Sequence, residues 1–77
     1  MITPPDQKAL KEFGEHLHKL RKAKGLSLRE MSYACNIDNS KIAKIEKGQI
    51  NITFTTLLQL ALALEVHPSS LLDYQPE

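Results

Sequence analysis

The sequence predicts an all-α fold, a bundle of five short helices. Three observations carry this. Leu10, Phe13, Leu17 and Leu20 recur at helical spacing, as do Leu57, Leu60, Ala61 and Leu64. Two short stretches, Leu28 to Cys35 and Asn39 to Lys47, each follow a residue suited to capping a helix start. Proline or glycine punctuates the remaining joins, at Pro5, Gly25, Gly48 and Pro68.

The first helix is expected from near Asp6 to about Lys24, with Pro5 just outside it and Gly25 as its stop. Met1 to Pro5 holds two prolines and little to bury, so residues 1–5 are expected to be a flexible start. Gly14 works against the helix, since glycine in a helix interior costs roughly 1 kcal/mol against alanine. His16 and His18 are two apart and point to different faces, so they cannot chelate together; both are read as surface residues and no metal is expected.

Ser27 caps the second helix, with Glu30 three residues on as the reciprocal half of a capping box. Asn36 and Ile37 make a tight turn, where asparagine tolerates the left-handed backbone. Asp38 caps the third helix and favours its positive end. Leu28, Met31 and Cys35 share one face, as do Ile42 and Ile45. Left on the outer face of the third helix are Asn39, Ser40, Lys41, Ala43, Lys44 and Lys47: short polar groups, one small residue and three cations. A helix that enters a DNA major groove needs such a set. The plainer reading is a helical hairpin with a solvated basic face.

After a loop at residues 49–52, Thr53 caps a fourth helix that runs to about Leu64. Leu58 and Leu62 lie off its core face, leaving it apolar nearly all round, which in 77 residues points to a partner. Pro68 opens a fifth helix at the position where its missing N–H costs nothing. Leu71 returns to the core, and residues 75–77 are a tail.

Composition narrows the function classes. A chain of 77 residues makes one small domain, which buries only about 60% of its unfolded surface. The single cysteine, Cys35, excludes an internal disulfide and a Cys-rich metal site, and on an apolar face it reads as an inert core thiol. No apolar run approaches about 20 residues and no signal-like segment opens the chain. A cytoplasmic protein without membrane attachment is therefore expected. Net charge is only +1, but its distribution is uneven. Residues 16–48 hold eight Lys and Arg against three acids, a net +5, while residues 49–77 hold three acids and no Lys or Arg, a net −3. The basic charge coincides with the outer face of the third helix. Nothing has nucleophile–base spacing, a phosphate-cradling glycine loop or paired carboxylates, so no enzyme, catalytic residue or cofactor is expected.

The stretch Ser27 to Gly48 resembles the helix-turn-helix of the lambda-repressor/Cro-like family, the xenobiotic response element regulators. The similarity extends to Leu20–Ser27 at the end of the first helix, Thr56–Val66 in the fourth and Pro68–Leu72 in the fifth, and covers roughly residues 13–73. It implies a lambda-repressor-like bundle over residues 6–74 that binds duplex DNA. By the same resemblance, Asn39, Ser40, Lys41 and Lys44 face base edges, and Ser27, Lys47, Gln49 and Asn51 meet phosphate. Arg21 and Glu46 fill the positions of a partly buried ion pair in that family. Two positions depart from its pattern. Leu28 stands where many relatives carry a glutamine that touches phosphate, and Ser32 stands where many carry alanine, so its hydroxyl is expected to bond its own helix backbone.

The expectation is a transcription regulator that acts as a homodimer on a pseudo-palindromic site, joined through Leu58, Leu62, Leu72 and Tyr74 on the last two helices. No small-molecule ligand is expected. The rival is a protein-interaction module, such as an antitoxin, that covers a partner protein with the same apolar surface.

Overall fold

The computed structural model describes residues 4–75. Residues 1–3 of the expected flexible start and residues 76–77 of the expected tail lie outside the described residues. Four α-helices follow one another: α1 (Pro4–Ala23), α2 (Leu28–Cys35), α3 (Asn39–Glu46) and α4 (Phe54–Leu64). A short 3-10 helix, Pro68–Leu72, closes the chain. No strand forms among the described residues. Among the described residues, no helix is long and apolar enough to cross a membrane.

One boundary and one helix type differ from expectation. α1 begins at Pro4 rather than near Asp6, so it takes Pro5 inside its first turn, where a missing N–H costs no internal hydrogen bond. The fifth helix is not α. His67 accepts the Ser69 amide on its ring Nδ1 at 3.1 Å and the Ser70 amide on its carbonyl at 2.8 Å, which closes the segment at i to i+3. The five residues Pro68–Leu72, held to the core by the buried Leu71, are too few to continue as an α-helix.

The caps explain the tight helix-turn-helix. Ser27 Oγ accepts the Glu30 amide at 3.0 Å, and the Ser27 amide donates to Glu30 Oε1 at 3.0 Å, so both halves of the capping box form. Asn36 takes the left-handed conformation at φ 58° and donates its amide back to Ser32, which turns the chain sharply into Asp38. Asp38 accepts the Ser40 amide at 3.1 Å and starts α3. Ser32 finds its partner on its own helix, donating to the Arg29 carbonyl at 2.6 Å. At the end of α4, Glu65 also turns left-handed at φ 56°, an unfavourable conformation for a side chain. Val66 then donates to the Ala61 carbonyl and packs against the core, which offsets that cost.

All five elements meet in one core. Leu17, Met31, Ile42, Leu60 and Leu71 are each fully buried, one from each element, with Phe13, Cys35, Ile37, Ile45, Ala61 and Leu64 between them. Leu28 and Leu57 are partly buried against this cluster, and Ala63 joins it where no apolar stripe marked it.

Gly14 has a reason that helix propensity does not supply. A Cβ there would fall on the backbone carbonyls of Ile45 and Glu46. The C-terminal end of α3 therefore lies directly against the α1 backbone. Gly48 repeats the close approach just beyond α3: its φ is +71°, and a Cβ would sit 2.6 Å from the Lys11 Cα.

Candidate nucleic-acid interface

The outer face of α3 is free of the core. Ser40, Lys41, Lys44 and Lys47 are exposed, while Asn39 and Ala43 are half-buried at its edge. Two ammonium groups, of Lys41 and Lys44, thus stand on one short helix and a third, of Lys47, at its C-cap, while the opposite side, Ile42 and Ile45, is anchored in the core. Ser27, Gln49 and Asn51 are exposed at either side of this helix, at the start of α2 and in the loop after α3. Asp38 adds one anion beside the cations. Its carboxylate is held below the usual range, first by the Ser40 hydroxyl, then by the Ser40 amide. Because the Ser40 hydroxyl donates to Asp38, only its acceptor side is left for a ligand.

α3 is held from behind by α1. Arg21 Nε donates to Glu46 Oε2 at 2.6 Å, and Nη2 donates to Oε1 at 3.0 Å. Nη1 donates to the Leu26 carbonyl at 2.9 Å, which ties the same guanidinium to the segment leading into α2. Both charged side chains are almost fully buried, at 6% and 7% exposure. Burial acts to raise the Glu46 carboxyl, but the hydrogen bonds from Arg21 and His18 and the Arg21 charge outweigh it and hold the group below its ordinary value. The Arg21 guanidinium is correspondingly pushed up, chiefly by its bond to Glu46.

Two histidines read as surface residues have structural partners. His18 Nδ1 lies 2.8 Å from Glu46 Oε1 and 3.1 Å from Arg21 Nη2, beside both members of the ion pair. The available signal was its position three residues before Arg21, on the same side of the helix. His16 Nε2 lies 2.7 Å from the Ser70 carbonyl, and its ring centroid is 5.0 Å from that of Tyr74. This joins α1 to the end of the chain, and nothing in the local sequence pattern announced it.

The apolar residues assigned to self-association separate into two groups. Leu58, Leu62 and Leu72 are exposed, Leu62 by 75%. Phe54, one turn before Leu58, is 71% exposed and extends the strip along α4. Its spacing of four from Leu58 and eight from Leu62 is the sequence signal that places it on the same helix face. Tyr74 is half-buried, turned toward His16, and packs within the chain. Cys35 is buried in the core, and burial pushes its thiol up, away from the reactive thiolate.

Two capped helices at a left-handed turn, with a cationic second helix anchored from behind, define a helix-turn-helix DNA-binding transcription regulator. The chain belongs to the helix-turn-helix family, whose model matches residues 17–71. Among solved structures it is similar to the restriction-modification controller protein C.AhdI from Aeromonas hydrophila. That similarity has 38% identity and a TM-score of 0.80, over 82% of this chain and 96% of that one. It is also similar to the restriction-modification controller protein C.Esp1396I, with 26% identity and a TM-score of 0.77 over 83% of each chain. The control protein C.BamHI of Bacillus amyloliquefaciens is 29% identical over 63 residues, 80% of this chain and 78% of that protein.

Proposed function

We propose that this protein binds an operator as a homodimer and controls transcription in a restriction-modification setting, a reading supported by its similarity to the restriction-modification controller protein C.AhdI and to the control protein C.BamHI. The observation that carries the DNA-binding geometry is the outer face of α3, where Lys41, Lys44 and Lys47 are exposed while Ile42 and Ile45 lock the opposite side. Asn39, Ser40, Lys41 and Lys44 read base edges, asparagine pairing with adenine and lysine reaching guanine O6 or N7. Ser27, Lys47, Gln49 and Asn51 hold phosphates on either side. A two-fold dimer places its two recognition helices about 34 Å apart in successive major grooves, so the site is a pseudo-palindrome.

The exposed strip of Phe54, Leu58 and Leu62 along α4, with Leu72 also exposed on the last helix, supports self-association, because a small protein gains by covering exposed apolar surface. The rival reading, a partner protein covered by this strip, requires a monomer when the chain is alone. Fluorescence anisotropy on duplex DNA from upstream of the protein's own gene tests the main reading. Tight binding that falls steeply with salt, exceeds binding to random duplex and fails in Lys41→Ala/Lys44→Ala is the expected result. Equal, weak binding to every duplex, unchanged in that variant, would overturn it.

A further inference from the structure

The charge distribution along the sequence places the basic surface in residues 16–48 and leaves the first fifteen residues slightly acidic. The fold redistributes it. One stripe of α1 follows the C-terminal end of α3 residue by residue. Arg21 and His18 bond Glu46, and Gly14 lies under the Ile45 and Glu46 carbonyls. Lys11, one turn further toward the start of α1, continues the same stripe. It lies beyond the end of α3, where Gly48 presses against its Cα and Cβ.

Gly48 joins Lys47 to Gln49, two residues read above as phosphate contacts. Lys11 is exposed. Its backbone and Cβ lie against that loop, and its four-carbon arm is long enough to bring the ammonium group to the edge of the loop. We infer that Lys11 is a phosphate-binding residue of the DNA interface, supplied by α1 from outside the helix-turn-helix. Its ligand is a backbone phosphodiester next to the one met by Lys47 and Gln49. The contact carries no base information, so it adds affinity equally on all sequences. This inference rests on the DNA-binding reading of α3.

Lys11→Ala tests it cleanly, since alanine keeps the Cα and Cβ that touch Gly48 and removes only the charged arm. The probes are the upstream duplex and a random duplex of equal length, each titrated by anisotropy across a salt series with wild type, Lys11→Ala, Lys11→Arg and Lys41→Ala/Lys44→Ala. Lys11→Ala is expected to flatten the slope of log K against log salt by about 0.9 per protomer bound. It weakens both duplexes by the same factor, so the ratio between them is kept, and Lys11→Arg restores the slope. Wild-type slope and affinity in Lys11→Ala, with binding lost in Lys41→Ala/Lys44→Ala, would overturn the role of Lys11 alone. A wild type without salt-dependent binding to either duplex overturns the DNA-binding reading and this inference with it.

Discussion

Arg21 and Glu46 form a two-pronged ion pair across the junction of α1 and α3, at 2.6 and 3.0 Å, with both side chains almost wholly withdrawn from water. The third guanidinium nitrogen reaches the Leu26 carbonyl. One side chain thus sets the position of the recognition helix and of the segment that starts α2. A buried pair of this kind adds little net stability over an apolar replacement, because desolvation offsets the attraction. Its loss on one side is different. Glu46→Ala leaves the Arg21 charge buried without its partner and is expected to cost about 3–5 kcal/mol, read from urea unfolding. A wild-type midpoint would show that Arg21 needs no partner there.

The same pair predicts an acid-sensitive fold. The Glu46 carboxyl is lowered in the folded state, so between its folded and unfolded values the unfolded chain binds more protons. Its contribution is full above the ordinary carboxylate range, near pH 4.3, and is lost as pH falls through the lower folded value. Thermal melts from pH 7 down to pH 3 should show stability falling below about pH 4.5. In Glu46→Gln that fall should be shallower, although Asp38 and Glu30, also lowered, keep some of it. Identical pH profiles for the two proteins would remove Glu46 from the account.

Gly14→Ala separates packing from propensity. Helix propensity alone predicts a gain of roughly 1 kcal/mol. The Ile45 and Glu46 carbonyls occupy the space the methyl needs, and they are backbone atoms that cannot swing away. A net loss of about 1–3 kcal/mol is expected, with weaker DNA binding because the end of α3 is pushed outward. A stabilised variant would mean that α1 and α3 separate at little cost.

Leu62→Glu tests the apolar strip. At 75% exposure the side chain contributes little to the core of a single chain, so the variant should keep its helical circular dichroism. A dimer that buries Leu62 would have to bury the new charge, and sedimentation should show monomer at concentrations where the wild type is dimeric. A wild type that sediments as a monomer at every concentration would sink the dimer and favour a partner protein.

What the sequence determined by itself was local. Ser27 and Glu30, Asn36, Asp38 and Thr53 act within four residues of their own positions, so their roles could be read from residue type and spacing. The outer face of α3 was legible for the same reason, since Ile42 and Ile45 mark its inner side. The short last helix misled, because Pro68 signals a helix start whatever type of helix follows. Arg21 and Glu46 could be paired in advance only through family resemblance. Their meeting spans 25 positions, and no local rule joins residues so far apart. The tertiary structure decided that Gly14 is a contact rather than a weakness, that His18 belongs to Glu46 and His16 to Ser70, that Tyr74 turns inward, and that Lys11 comes to lie beside Gly48. Each depends on how two helix axes approach, which the packing of the whole core sets and which helical spacing along one segment does not contain.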